Sequence, residues 1–258
     1  MPVVGMHGLT ATRRYVLMGS RALQRDGHRV VLYDARGHGR SSAPLDGDYS
    51  YGAQAADLAR VLEAFALEHV ILAGVSMGAH AALRFALEQP GRVAGLVLLT
   101  PAFDPNNSGE ARLARWDALS HGLRQGGIDG FLAAYDFSRL PPGRRDTVAK
   151  MIRQRLRLHR DLAAVADALA AVPRSRPFES FAQLGAIHMP ALVIASRDEH
   201  DPEHPLAIAE QYTGALPDAE LLVEDEGSPP LAWQGGRLSR AIARFGERAR
   251  GSTMSAWL

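Results

Sequence analysis

Short runs of apolar residues alternate with longer segments in which apolar residues recur every three or four positions. The short runs predict buried strands, and the longer segments predict helices. Over the first hundred residues this pattern predicts strands at 1–6, 29–33, 70–73 and 93–99, and helices at 14–26, 51–67 and 79–89. Such alternation requires a parallel sheet with helices on both faces.

The alternation stops after residue 100. Helical periodicity without a strand follows at 110–125, 128–135, 144–158 and 161–172. Strands return at 191–195 and 220–223, with helices at 206–212 and 236–249. The sequence therefore predicts an α/β fold, a mostly parallel sheet with a helical insertion. We assign residues 1–100 and 186–258 to the core. We expect residues 101–185 to form a cap over the carboxyl edge of the sheet, where ligand sites lie.

Composition narrows the possible functions. The 258 residues are 47% hydrophobic and 22% charged, as in a soluble globular protein, and the formal net charge of +1 argues against nucleic-acid binding. The chain has no cysteine, which excludes disulfides and thiolate metal sites. No apolar run approaches the ~20 residues that span a bilayer, and the first residues lack a signal-peptide pattern. We expect a cytoplasmic monomer or homodimer with no nucleic-acid or membrane partner.

A serine stands at the apex of a predicted strand–turn–helix, in the sequence Gly74-Val75-Ser76-Met77-Gly78. A G-x-S-x-G turn exposes the serine hydroxyl above the sheet and leaves backbone N–H groups free beside it. The glycines are needed because side chains would collide in so tight a turn. The sequence predicts that Ser76 is a nucleophile, although an inert turn serine in a binding protein is the alternative.

Three further segments complete a resemblance to the α/β-hydrolases. His7-Gly8-Leu9 resembles the oxyanion loop of that family, and the loop that begins Asp34-Ala35-Arg36-Gly37 resembles its D-x-R-G-x-G-x-S segment. Asp198, after the strand at 191–195, resembles the catalytic acid. The order of these motifs covers nearly the whole chain. The first predicted strand takes the place of the third strand of the family.

The resemblance implies a set of roles. Ser76 would attack a substrate carbonyl, and the N–H groups of Leu9 and Met77 would bind the resulting oxyanion. Asp198 would orient a histidine, with Asp201 as the competing acid. The expected function is hydrolysis of carboxylic esters or related acyl compounds, with a small-molecule substrate and no cofactor.

The histidine of the family normally follows the last core strand, but here the loop after residue 223 has none, and no histidine lies beyond His204. Three explanations are open. In the first, a histidine on another loop is the base, because a triad is defined by geometry rather than by sequence position. His200 and His204 are the best placed, whereas His80, His121 and His159 are weaker candidates.

In the second explanation, a carboxylate among Glu224, Asp225 and Glu226 is the base, since neighbouring like charges raise carboxylate pKa values. In the third, the protein has left serine hydrolysis and is a small-molecule binder, a lyase or a cofactor-free oxygenase on the same fold.

Aromatic residues of the predicted cap suggest an apolar acyl or alcohol group in the substrate. We place Trp116 and Tyr135 at the substrate pocket, together with His7, which also has an interpretation as a residue that fixes its loop. Metal-ligand clusters, a dinucleotide fingerprint and a P-loop are absent from the sequence, so we expect neither a metal nor a cofactor.

Overall fold

A single parallel sheet forms the centre of the molecule. The computed structural model describes residues 1–107, 109–201, 203–228 and 233–255. Within these ranges the sheet has six strands in the order β2-β1-β3-β4-β5-β6. The strands are β1 Val3–Met6, β2 Val30–Leu32, β3 Val70–Val75, β4 Val93–Leu99, β5 Ala191–Ala195 and β6 Ala219–Val223. Every neighbouring pair is parallel, which confirms the predicted fold class.

Helices cover both faces of the sheet, because its strands carry apolar side chains on both sides. On one face lie α2 Tyr51–Ala64, α3 Met77–Glu88 and α7 Leu206–Ala215. On the other lie α1 Ala22–Arg25 and α8 Gly235–Ser255. Strands buried on both sides read as continuous hydrophobic runs, and such runs located β1, β3, β4 and β5 in the sequence.

A helical insertion, defined here as α4 to α6, lies between β4 and β5. Its helices are α4 Glu110–Ala134, α5 Pro142–Leu156 and α6 Leu162–Ala171. The insertion has a hydrophobic core of its own, made by Leu123, Phe131, Ile152, Leu156, Val165, Ala166 and Leu169. Leu9, which follows β1, packs against this core and so joins the insertion to the sheet. The boundaries 101–185 for a cap stay a prediction.

One predicted helical segment differs from the structure. The helix expected at 14–26 is reduced to a short 3-10 turn at Arg13–Tyr15 and the single turn α1, because Met18 and Gly19 have φ values of +48° and +78°. Helices cannot continue through left-handed residues. The segments expected at 110–125 and 128–135 are confirmed as the two helical parts of α4, which are separated at Gly127, where φ +58° and ψ −142° are not helical.

Parallel strands bring their carboxyl ends to one edge of the sheet. The loops that follow β1, β3 and β5 therefore meet there, and with them Leu9, Ser76 and the segment 196–204. In the ranges that the structure describes, no helix combines the length and the apolar character needed to cross a bilayer.

Candidate active site

The turn that carries Ser76 is strained, and its two glycines make it possible. Ser76 lies between β3 and α3 with φ +49° and ψ −111°. A Cβ atom added at Gly74 would lie 2.2 Å from the carbonyl oxygen of Gly78. One added at Gly78 would lie 2.5 Å from the carbonyl oxygen of Met6. Both contacts are with backbone atoms that cannot move aside, so any side chain here would displace the serine.

His204 lies directly against Ser76. Its Nε2 is 2.8 Å from the Ser76 Oγ, and its Nδ1 is 2.8 Å from Oδ2 of Asp201. The other carboxylate oxygen of Asp201 accepts the backbone N–H of Glu203 at 3.1 Å. A hydroxyl, an imidazole and a carboxylate thus form a continuous hydrogen-bonded chain. In the tautomer that fits, Nδ1–H donates to Asp201 and Nε2 accepts from the serine hydroxyl.

The charges around His204 favour its protonated form. Burial lowers the pKa of His204, but the charge and hydrogen bond of Asp201, with the charge of Glu203, outweigh burial and raise it. Burial in turn raises the pKa of Asp201, while His204 and two backbone N–H groups lower it, with a net decrease. A proton accepted from Ser76 would therefore be stabilised on the imidazole.

Asp198 and His200 are not where the sequence analysis expected them to act. Oδ1 of Asp198 accepts the backbone N–H of His200 at 3.1 Å, so this carboxylate closes a tight turn. The carboxylate beside His204 belongs to Asp201 instead. The side chain of His200 is exposed. The carboxylate that contacts His204 is thus that of Asp201 rather than that of Asp198, because the turn at 198–201 points the later carboxylate towards His204.

His7 holds two loops together and has no ring nitrogen free for a substrate. Its Nε2 accepts the backbone N–H of Ala35 at 2.9 Å, and its Nδ1 donates to the carbonyl of Gly8 at 2.9 Å. Burial lowers the pKa of His7 to about 4, so the ring is neutral at pH 7. These contacts agree with the interpretation of His7 as a residue that fixes its loop, and its placement at the substrate pocket stays a prediction.

The N–H groups of Leu9 and Met77 are free in the part of the chain that the structure describes, where neither donates a hydrogen bond. Met77 is the first residue of α3, and the first N–H groups of a helix have no partner inside it. Leu9 follows Gly8, at which an added Cβ would lie 3.5 Å from the Cβ of Ser76. Both residues thus flank the serine, and their role in binding an oxyanion stays a prediction.

Trp116 and Tyr135 of the insertion lie beside the same loop. The indole Nε1 of Trp116 donates to Oε2 of Glu203 at 3.2 Å. The charges of Asp201 and Glu203 contribute to a raised pKa of Tyr135, although burial is the larger cause. Glu203 also accepts a hydrogen bond from Arg115 at 2.6 Å. The sequence analysis missed Glu203, for which its position beside His204 was the one available signal.

The alternative bases are occupied or distant. Glu224 is buried and accepts hydrogen bonds from Ser196 Oγ, the Arg197 N–H and Trp233 Nε1 at 2.8, 2.6 and 3.0 Å. Burial raises the pKa of Glu224, but the hydrogen bonds lower it by more, so its net pKa is below the ordinary value and Glu224 is a poor base. Asp225 and Glu226 are exposed. Residues 229–232, which complete the loop where the family histidine was sought, lie outside the described residues.

The three histidines that were weaker candidates for the base have other surroundings. Nε2 of His80 accepts the backbone N–H groups of Ala102 and Phe103 at 3.0 and 3.1 Å, and burial lowers the pKa of His80 to about 3. His159 joins two loops through its ring nitrogens, and His121 is exposed. Among the described residues no cluster of His, Cys, Asp or Glu is arranged to hold a metal ion.

Comparison with known proteins gives the family. The sequence pattern that defines proteins with an alpha/beta hydrolase fold matches residues 2–235. The chain belongs to the α/β-hydrolase family. It thus shares the sheet, the helical insertion and the loop order of an α/β-hydrolase.

Individual α/β-hydrolases resemble the chain over most of its length. A protein of Variovorax paradoxus that carries the name carbamate hydrolase RutD is 33% identical over 183 residues, 69% of this chain and 66% of that protein. A Bacillus subtilis protein named as 2-succinyl-6-hydroxy-2,4-cyclohexadiene-1-carboxylate synthase is 29% identical over 198 residues, 74% of this chain and 71% of that protein. A Thermogutta terrifontis esterase superimposes with a TM-score of 0.76 at 24% identity, covering 96% of this chain and 90% of the esterase.

Proposed function

We propose that this α/β-hydrolase cleaves carboxylic esters or related acyl compounds through an acyl-Ser76 intermediate, with His204 as the base and Asp201 as the acid that orients it. The observation that supports this most directly is the position of His204, 2.8 Å from both Ser76 and Asp201. It supplies the base that a serine hydroxyl needs to become a nucleophile.

The reaction would begin with attack of the Ser76 Oγ on the substrate carbonyl. The hydroxyl proton passes to Nε2 of His204, and the negative charge that develops on the carbonyl oxygen is bound by the N–H groups of Leu9 and Met77. The imidazolium is stabilised by Asp201. Collapse of the tetrahedral intermediate breaks the bond to the leaving group, which takes the proton from His204. Water then repeats the sequence on the acyl-enzyme and releases the acid.

A carbamate has the same kind of reacting carbonyl as an ester, so the relationship to the protein named carbamate hydrolase supports the same class of acyl transfer. A second candidate is a non-hydrolytic reaction that uses His204 to take a proton directly from a substrate. The relationship to a protein named as a synthase favours this candidate. The simple binder loses its main support, since that interpretation depended on the absence of a histidine near Ser76.

Labelling with a small fluorophosphonate tests the proposal, because such reagents react with a serine that has been activated by a base. The intact mass of the wild type should increase by one adduct, and Ser76→Ala should give none. His204→Ala should react at least about 100-fold more slowly. His200→Ala is the matched control from the same loop and should react like the wild type. Equal labelling of the His204→Ala variant would overturn the assignment of the base.

The same variants separate the two candidate reactions. A hydrolase should show a burst of product from an activated 4-nitrophenyl ester, equal to the amount of enzyme and lost in Ser76→Ala. Labelling of Ser76 without turnover of any ester would favour the non-hydrolytic reaction.

A further inference from the structure

Arg155 is turned inward from an otherwise exposed run of arginines. It lies in the last turn of α5, within residues 153–157, which the sequence analysis interpreted as a solvated helix face. Its neighbours agree with that interpretation, since Arg153 pairs with Asp129 at 2.6 Å and Arg157 is exposed. Arg155 differs because its side chain is half-buried and its Nε atom has no access to solvent.

The buried Nε of Arg155 has no hydrogen-bond partner among the described residues, and the guanidinium forms no ion pair with any of them. A buried cationic donor left without an acceptor is costly. Burial lowers the pKa of Arg155, and the negative charge of Asp201 opposes this decrease. Asp201 is nevertheless committed elsewhere, because its oxygens accept from Glu203 and His204.

The guanidinium lies where the insertion meets the core. Shortly after α5, Nε2 of His159 donates to the carbonyl of Thr10, and its Nδ1 accepts the N–H of Gly39, both at 2.9 Å. Thr10 follows Leu9, so the end of α5 is fixed against the loop that flanks Ser76. Tyr135, Tyr15 and Asp201 are close enough for their charges to act on Arg155, and Asp201 is the carboxylate that contacts His204.

We propose that Arg155 binds a carboxylate of the substrate while the substrate carbonyl is held at Ser76. The inference rests on the proposed acyl transfer and adds a substrate class, acyl compounds that carry an anionic group. A carboxylate supplies the acceptors that Nε lacks and pairs with a guanidinium through two parallel hydrogen bonds. Arg155 holds its charge in a partly desolvated place, where such a pair is stronger than on the surface.

The test compares anionic and neutral substrates of equal length. Mono-4-nitrophenyl esters of adipic, pimelic and suberic acids are the anionic set, and their methyl esters at the free carboxyl are the neutral set. The readout is the ratio of kcat/KM for the anionic ester to that for the neutral one. Arg155→Met should lower this ratio by about tenfold or more, and Arg155→Lys should recover part of it. Arg157→Met, an exposed arginine on the same helix, should keep the ratio of the wild type.

Binding without turnover separates this inference from the proposed function. Titration of suberate into the Ser76→Ala protein in a calorimeter should release or absorb heat. The double variant Ser76→Ala, Arg155→Met should give no such heat. If suberate binding depends on Arg155 and the wild type turns over no ester, the anion site is kept and the hydrolase is overturned. Ser76-dependent turnover with an unchanged ratio in Arg155→Met would overturn the anion site and keep the hydrolase. Absence of both turnover and binding would overturn both.

Discussion

The carboxylate of Glu203 accepts a hydrogen bond from the indole of Trp116 at 3.2 Å, across the boundary between the core and the insertion. Arg115 reaches the other oxygen of the same carboxylate at 2.6 Å. Glu203 precedes His204, so α4 holds the loop that places the imidazole against Ser76. The insertion therefore helps to place the imidazole of His204 against Ser76.

Removing this attachment should impair the chemical step. We expect Glu203→Ala to lower kcat for a 4-nitrophenyl ester by about tenfold, since a small displacement of a catalytic group has large effects on rate. The matched control is Arg124→Met, which breaks the ion pair with Asp167 inside the insertion and leaves the loop attached. Equal loss of kcat in both variants would mean that the insertion needs intact ion pairs in general, and that Glu203 has no special part.

The pH dependence should report the charges around His204. The imidazole must be neutral to accept a proton, and its pKa is raised above the ordinary value of 6.5. Activity should therefore fall on the acid side with a midpoint above that value. Glu203→Gln removes one of the charges that raise the pKa, so its midpoint should move to lower pH. The profile of kcat/KM in wild type and variant checks this, and a midpoint that stays or rises would contradict it.

The groups that act on His204 in this titration are few among the described residues. Asp201 and Glu203 raise its pKa. His80 interacts with it only when both rings carry charge, and the pKa of His80, lowered to about 3, keeps that ring neutral over the range of the assay. A shift on changing Glu203 can thus be assigned to the loss of its charge.

Two aspartates close together in one loop should differ greatly in importance. Asp201→Asn leaves a group of similar size but cannot stabilise the imidazolium, and we expect kcat/KM to fall on the order of 10³-fold. Asp198→Asn keeps the oxygen that closes the turn and should stay within about threefold of the wild type. Steady-state kinetics of the two variants checks the order, and the reverse order would restore Asp198 as the acid.

The turn at Ser76 should not tolerate a methyl group at Gly78. The added Cβ would lie 2.5 Å from the carbonyl oxygen of Met6, so strand β1 or helix α3 must shift. We expect Gly78→Ala to lower the free energy of unfolding by about 1–3 kcal/mol and to abolish fluorophosphonate labelling. Gly91→Ala serves as the control, because its Cβ would meet no atom within 4 Å. Urea unfolding and intact-mass labelling give the two readouts.

Acid should destabilise the fold through its buried neutral histidines. Burial lowers the pKa of His7 to about 4 and that of His80 to about 3. In the unfolded chain both rings bind protons near pH 6.5, so between pH 7 and pH 5 the unfolded state takes up protons that the folded state excludes. Stability should fall by about 2 kcal/mol for each of them over that interval.

Urea unfolding at the two pH values measures this loss. His80→Gln can still accept from the N–H groups of Ala102 and Phe103 but cannot be protonated, so its decrease in stability should be smaller than that of the wild type. An equal decrease would show that other groups cause the acid sensitivity.

Sequence patterns predicted the strands well because five of the six contain no polar side chain, and in β6 only Glu220 interrupts the apolar run. The same patterns failed at 14–26, where the backbone turns at Met18 and Gly19 for reasons that periodicity does not encode. The division of the segment 110–135 into two helices was predicted correctly, since the backbone of Gly127 is not helical.

Some residues of the candidate site could be predicted from the sequence, and others could not. The turn around Ser76 has a local steric cause, so its glycines identified it. The choice between Asp198 and Asp201 depends on how one short turn orients two carboxylates, and residue type carries no information about that. Arg155 resembles its exposed neighbours in sequence, and its inward orientation follows from tertiary packing alone.

Asp201 and His204 are three residues apart in one segment. Any movement of that segment carries both side chains together, so their mutual hydrogen bond can survive a displacement that breaks the contact with Ser76. Activation of the serine then depends on one distance, that between this short loop and the turn that carries Ser76. Substitutions that stiffen or loosen this loop would scale the fraction of active molecules and leave the chemistry of each active molecule unchanged.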